Sequence, residues 1–162
     1  MKSKIAVVYY SLEGNTHWVA EQIAQQTGAD LIRLKPVKDV KQKGFSKFIW
    51  GGKQVVFKEK PQLEAYENLD VYDTVIIGSP IWASTMAPAI STMLNKEKWT
   101  QKKCALYCCC SGGSGKYFDQ LKASLQGNTI IGERTFIDPL KQRDIASNTI
   151  NEWINSMDLS IK

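Results

Sequence analysis

Ser11, Leu12, Glu13, Gly14, Asn15 and Thr16 stand between an apolar run and a segment of helical period, and nearly every one brings a hydrogen-bonding side chain or an unobstructed amide. At a helix N-terminus the Ser11, Asn15 and Thr16 side chains would add to N–H groups that the helix itself leaves unsatisfied, while Gly14 lets the backbone bend around a ligand. Such a turn suits an anion held by uncharged dipoles. The same residue types also cap an ordinary helix, so the turn alone does not decide between the two.

Two more stretches bear on chemistry. In "GSPIWASTMAP" (78–88) Trp82 closely follows an apolar run, and an indole at the tip of a sheet is exposed unless something flat covers it or a neighbouring loop packs on it. In "CSGGSG" (110–115) the amides are unobstructed by side chains and could approach the edge of a heterocycle, although a plain flexible turn has the same composition. Neither the first turn nor this one is a Walker A sequence. The first lacks a lysine, and "CSGGSGKY" has Cys110 for the opening glycine and Tyr117 for the closing hydroxyl residue, which argues against a nucleoside triphosphate with magnesium.

The four cysteines, Cys104, Cys108, Cys109 and Cys110, lie in one segment, "KKCALYCCC", rather than spread out to close distant loops. Neighbouring residues of a strand point to opposite faces, so three in a row cannot converge as tetrahedral metal ligands. They read as small apolar residues of a buried strand, with Cys110 at its end the one candidate for reactivity. His17, the single histidine, reads as a surface or packing residue, with proton delivery as the alternative.

The elements that must position these loops alternate along the whole chain. Apolar runs at 4–10, 29–35, 72–80, 102–110 and 128–138 read as strands. Between and after them, helical stripes run through Val19, Ala20 and Ile23; through Phe45, Phe48, Ile49, Val55 and Val56; over 88–96 with Pro88 in the first turn; through Tyr117, Phe118, Leu121 and Leu125; and through Ile145, Thr149, Ile150, Trp153 and Ile154. Phe45, Phe48, Trp50 and Phe57 read as core or lid packing, Trp99 as a helix-end residue and Trp153 as core. Gly78 and Pro80 are expected to stop the third strand. The pattern predicts an α/β three-layer sandwich with a five-stranded parallel sheet, wound on both sides. Ligands of such sheets bind beyond the carboxyl ends of the strands where the winding reverses, at the loops after strands one, three and four.

With 162 residues, 43% of them hydrophobic and 23% charged, the chain is expected to form a single domain over 1–162. No apolar stretch approaches the roughly 20 residues that cross a bilayer, and the N-terminus runs into a strand without a secretory pattern, so no membrane insertion and a cytoplasmic location are expected. The net charge of +5 is concentrated in residues 33–60. That segment is either a solvated helix face or a surface that steers an acidic protein or anionic ligand; nucleic acid is not expected, because no binding motif accompanies the charge.

Taken together, "YYSLEGNT", "GSPIWA" and "CSGGSG" resemble the three flavin loops of the flavodoxin family, over about residues 3–157 and in its short form. The resemblance implies a flavodoxin-like fold of strand order 2-1-3-4-5 and FMN as cofactor. It places Ser11, Leu12, Glu13, Gly14, Asn15 and Thr16 at the phosphate, and Ser79, Pro80, Ile81, Trp82, Ala83, Ser111, Gly112 and Gly113 around the isoalloxazine. Metal ligands and catalytic residues are not implied. Electron transfer between redox partner proteins, possible docking near the lysine-rich 33–60 segment included, is the first functional expectation. The alternative is an NAD(P)H-dependent oxidoreductase passing electrons to a quinone or similar acceptor; it needs an open flavin face, which the third loop offers unless Tyr117 folds back. A phosphorelay receiver shares the winding but needs carboxylates where Tyr9, Tyr10, Ser11, Gly78 and Ser79 stand. An interaction domain with an empty cleft is a further class.

Three departures from the family pattern carry expectations. Glu13 replaces a hydroxyl residue and should point outward, since a carboxylate repels a phosphate. No glycine lies between Trp82 and Pro88 to flip a peptide toward the reduced flavin, which implies weaker stabilisation of the half-reduced state. The chain is basic where electron carriers of the family are acidic, which implies a less strongly reducing cofactor.

Overall fold

In the computed structural model, the described residues are 3–39 and 60–159. Strand β1 (Ile5–Tyr9) is buried at every position, as a parallel strand covered on both faces must be. Helix α1 (Asn15–Thr27) follows it, begun at Gly14 with φ of 102° and closed by Gly28 with φ of 71°, whose N–H bonds the Ala24 carbonyl at 2.8 Å. Strand β2 (Asp30–Arg33) buries only Ile32, as befits an edge. Then come β3 (Thr74–Trp82), β4 (Thr85–Met86), α2 (Pro88–Lys96), β5 (Lys103–Cys110), α3 (Tyr117–Ser124), β6 (Thr129–Ile137) and α4 (Arg143–Ser156).

The sheet order is β2-β1-β3-β5-β6, all parallel, with β4 folded antiparallel onto the end of β3. Apart from that hairpin it is the expected 2-1-3-4-5 winding. Period-two alternation sorts the strands' side chains into two cores. Ala6, Val8, Val75, Ile77, Leu106 and Cys108 pack under α2 and α3, through Ile90, Met93, Tyr117 and Leu121. Val7, Tyr9, Ile76, Ala105, Tyr107 and Cys109 pack under α1 and α4, through Val19, Ile23, Ile150 and Trp153.

One sequence expectation needs correction, and one falls outside the described residues. Strand β3 does not stop at Pro80 but runs on to Trp82. β1 pairs with it only as far as Gly78, while β5 continues alongside through Pro80, so one edge of that stretch has no partner strand and a missing N–H costs little there. Tyr117 does not fold back over the third loop; it is wholly buried and donates its hydroxyl to the Tyr107 carbonyl at 2.7 Å. The helix read through Phe45 to Val56 lies outside the described residues, as do Trp50 and Phe57. Trp153 is buried in the second core, and Trp99 is buried just beyond α2. No described helix is long and apolar enough to cross a membrane.

Candidate functional site

A cavity of about 650 Å³ opens at the carboxyl ends of the strands, within the usual range for a small-molecule site. One end is the turn between β1 and α1. Ser11, buried, accepts the Gly14 N–H on its hydroxyl at 3.2 Å, and the first intrahelical bond runs from Trp18 N–H to the Gly14 carbonyl at 2.9 Å. The amides of Asn15, Thr16 and His17 therefore precede the first helical bond and have no partner within the helix. Together with the Ser11, Asn15 and Thr16 side chains they form a concentration of donors suited to an anion.

A second wall is the hairpin of β3 and β4. Ile81 and Trp82 line the cavity, and Ala83 and Ser84 make the turn with φ of 47° and 65°. Tyr10 holds the indole from below, edge-on, with ring centroids 5.5 Å apart and planes at 89°. Tyr10 is fixed in turn by donating its hydroxyl to Asp39 at 2.6 Å; burial, and then that carboxylate, push its pKa well above the ordinary phenol value. The hairpin is tied to the third loop by the Lys116 N–H, which donates to the Ser84 carbonyl at 2.8 Å, and by a hydrogen bond between Thr85 and Gln120.

The third wall combines the end of β5 with the loop after β6. Cys109, Cys110 and Ser111 line the cavity with Asp138, Leu140 and Lys141. Ser111 donates its hydroxyl to Asp138 at 2.7 Å, and the Asp138 N–H donates to the Cys110 carbonyl at 3.0 Å. Across the cavity the Leu140 N–H donates to the Asn15 side-chain oxygen at 3.2 Å. The loop after β6 thus bridges the anion turn and the third loop. Burial raises the Cys110 and Cys109 thiols above their ordinary pKa, so neither is activated as a thiolate.

Of the expected site residues, Ser11, Leu12, Glu13, Asn15, Thr16, Pro80, Ile81, Trp82, Ala83 and Ser111 line this one cavity. Gly14, Ser79, Gly112 and Gly113 do not. Gly14 shapes the turn from behind. Ser79 is fully buried, its hydroxyl donating to the Pro80 carbonyl at 2.7 Å and accepting the Ala87 N–H at 2.9 Å, so it pins the hairpin to the start of α2. Glu13 is exposed at the cavity wall. His17 stands apart: its ring meets the Tyr9 hydroxyl at 2.5 Å through Nδ1 and Glu21 at 3.3 Å through Nε2. Sequence reasoning passed over Asp138, Leu140 and Lys141 because it followed the reversal point of the winding and left out the loop of the outermost strand. "DPLK", a turn with charges of both signs at a strand's carboxyl end, was the available signal. Among the described residues there is no cluster of metal-ligating side chains.

Residues 4–157 match the model of a family described as flavodoxin. Among solved structures, a flavoprotein from Lactobacillus acidophilus in complex with FMN is similar at 23% identity and a TM-score of 0.72, over 94% of this chain and 99% of that one. A Fusobacterium nucleatum flavodoxin bound to flavin mononucleotide gives 14% identity and a TM-score of 0.61 over 100% of both chains. A WrbA-like flavodoxin from Agrobacterium tumefaciens gives 16% and 0.62 over 94% of this chain and 96% of that one. No curated protein matches the chain. At these identities the structural likeness speaks for the fold.

Proposed function

The chain belongs to the flavodoxin family, and from that premise we propose that it binds FMN in this cavity and carries electrons between redox partner proteins. The observation that carries the reading is the union in one cavity of the donor-rich turn at α1 with Trp82. A phosphate monoester needs the first and a flat ring system needs the second, and the volume suits a ligand combining them. Ser11, Asn15, Thr16 and the opening amides of α1 would hold the phosphate. Ile81, Trp82 and Ala83 would hold the ring system, opposite Cys110 and Ser111.

FMN, when bound, supplies one- and two-electron redox chemistry. The protein's part is to bind, orient and tune. The Tyr10 ring keeps the indole upright, the Ser79 hydroxyl fixes the hairpin, and the raised thiols of Cys109 and Cys110 present neutral groups to the cavity. Partner proteins would dock near the lysine-rich 33–60 segment, of which 40–59 lies outside the described residues.

One observation favours a second reading, an NAD(P)H-dependent oxidoreductase with a quinone-class acceptor. Tyr117 is turned into the core, so the third loop carries no aromatic cover of its own. The two readings part in one experiment. Purified protein titrated with FMN should quench flavin fluorescence at one equivalent; absence of quenching overturns both. The loaded protein should then leave NADH and NADPH unoxidised with a quinone present, and sustained turnover would select the oxidoreductase.

A further inference from the structure

The family's phosphate turn is an uncharged cradle, yet the cavity of this chain has a cation. Among the described residues that line it, Lys141 is the one basic side chain, against the carboxylates of Glu13 and Asp138. Its position is set by the neighbouring residue, since the Leu140 N–H is hooked onto Asn15 in the anion turn. The Leu140 side chain also lies 3.6 Å from where a Cβ on Gly14 would stand. Lys141 therefore enters the cavity within one residue of the turn's own contact. Among the described residues its ammonium pairs with Asp138 alone, at a long 3.8 Å, and its side chain is 79% exposed. A pair so loose and so wet is worth little, and the lysine is available to a stronger anion.

We propose that Lys141 recognises the phosphate of the ligand and thereby selects FMN over unphosphorylated riboflavin. The inference rests on the FMN reading above. Asp138 is the counter-residue. It competes for the ammonium and adds repulsion toward a dianion, so the pair sets the affinity between two opposed charges. An ammonium paired with a phosphate forms a charge-assisted bond, whereas the polyol end of riboflavin gives it no anion to meet.

The test is a set of fluorescence-quenching titrations with FMN and riboflavin on wild type, Lys141→Gln and Asp138→Asn. Wild type must first bind FMN; if it binds neither flavin, the FMN reading has failed and this inference with it. Given wild-type binding, Lys141→Gln should weaken FMN about two- to fivefold, the range for an exposed charge pair, and leave riboflavin unchanged. Its FMN affinity should also depend less steeply on salt. Asp138→Asn should tighten FMN; asparagine keeps the acceptor for Ser111 and tolerates the φ of 40° at that residue. Equal losses for both flavins in Lys141→Gln, or an unchanged FMN affinity, would overturn the proposal while leaving FMN binding intact.

Discussion

Tyr107, wholly buried in β5, donates its hydroxyl to the carbonyl of Thr16 at 3.0 Å, joining the middle of the sheet to the first turn of α1. The anion turn is thus braced from beneath by a side chain 91 residues away. Tyr107→Phe should lower stability by about 1 kcal/mol, the usual worth of a buried hydrogen bond, and leave the Thr16 carbonyl with its helical partner alone. Urea unfolding measures the first effect. An FMN affinity that falls while far-UV circular dichroism stays constant would report the second.

Gly78 makes that brace possible. A Cβ there would lie 2.0 Å from the Tyr107 ring, far inside contact. Gly78→Ala should therefore cost more than the roughly 1–3 kcal/mol of ordinary overpacking, because a rigid ring packed between the sheet and α1 and α4 cannot swing aside. The double variant with Tyr107→Leu should recover much of the loss, measured as a non-additive shift of the urea midpoint.

The cysteines of β5 should make stability fall in alkali. Burial pushes the Cys104 thiol up to about 11 and the Cys108 thiol up to about 12. Folded values above the ordinary one mean that the unfolded chain loses protons first. Their contribution is whole below about pH 9 and is lost as pH rises from there through 11 and 12. Unfolding midpoints at pH 8, 9.5 and 11 should decline, and less steeply in Cys108→Ala. An equal decline in both proteins would refute the assignment to that thiol.

Trp82 is expected to contribute affinity more than stability, since it is only half-buried and its edge contact with Tyr10 leaves a face for the cavity. Trp82→Ala should weaken FMN about tenfold, or 1.4 kcal/mol, and Trp82→Phe by less. Isothermal titration reads both.

The winding was legible because interior strands hold continuous apolar runs, such as 5–9 and 75–77, while β2 and β6 mix polar residues in, as edges do. The Thr85–Met86 strand was not, since two residues carry no period and their pairing depends on Ala83 and Ser84 adopting a backbone that neither favours. The cavity was legible in its anion turn and in Trp82, whose residue types announce their use. Ser79 was harder: a hydroxyl beside an expected ligand has the same spelling as one that pins a hairpin to a helix, and only the direction of its side chain separates them. Lys141 escaped because its approach depends on Leu140 meeting Asn15, a contact between residues 125 positions apart.

At Gly112 and Gly113 an added Cβ would meet nothing within 4 Å among the described residues, so the chain is bare just outside the cavity's lining. The hairpin, by contrast, is locked by its ties to the start of α3. Bulk grafted onto those two positions would therefore meet open space beside the cleft, and leave undisturbed the walls that grip the guest.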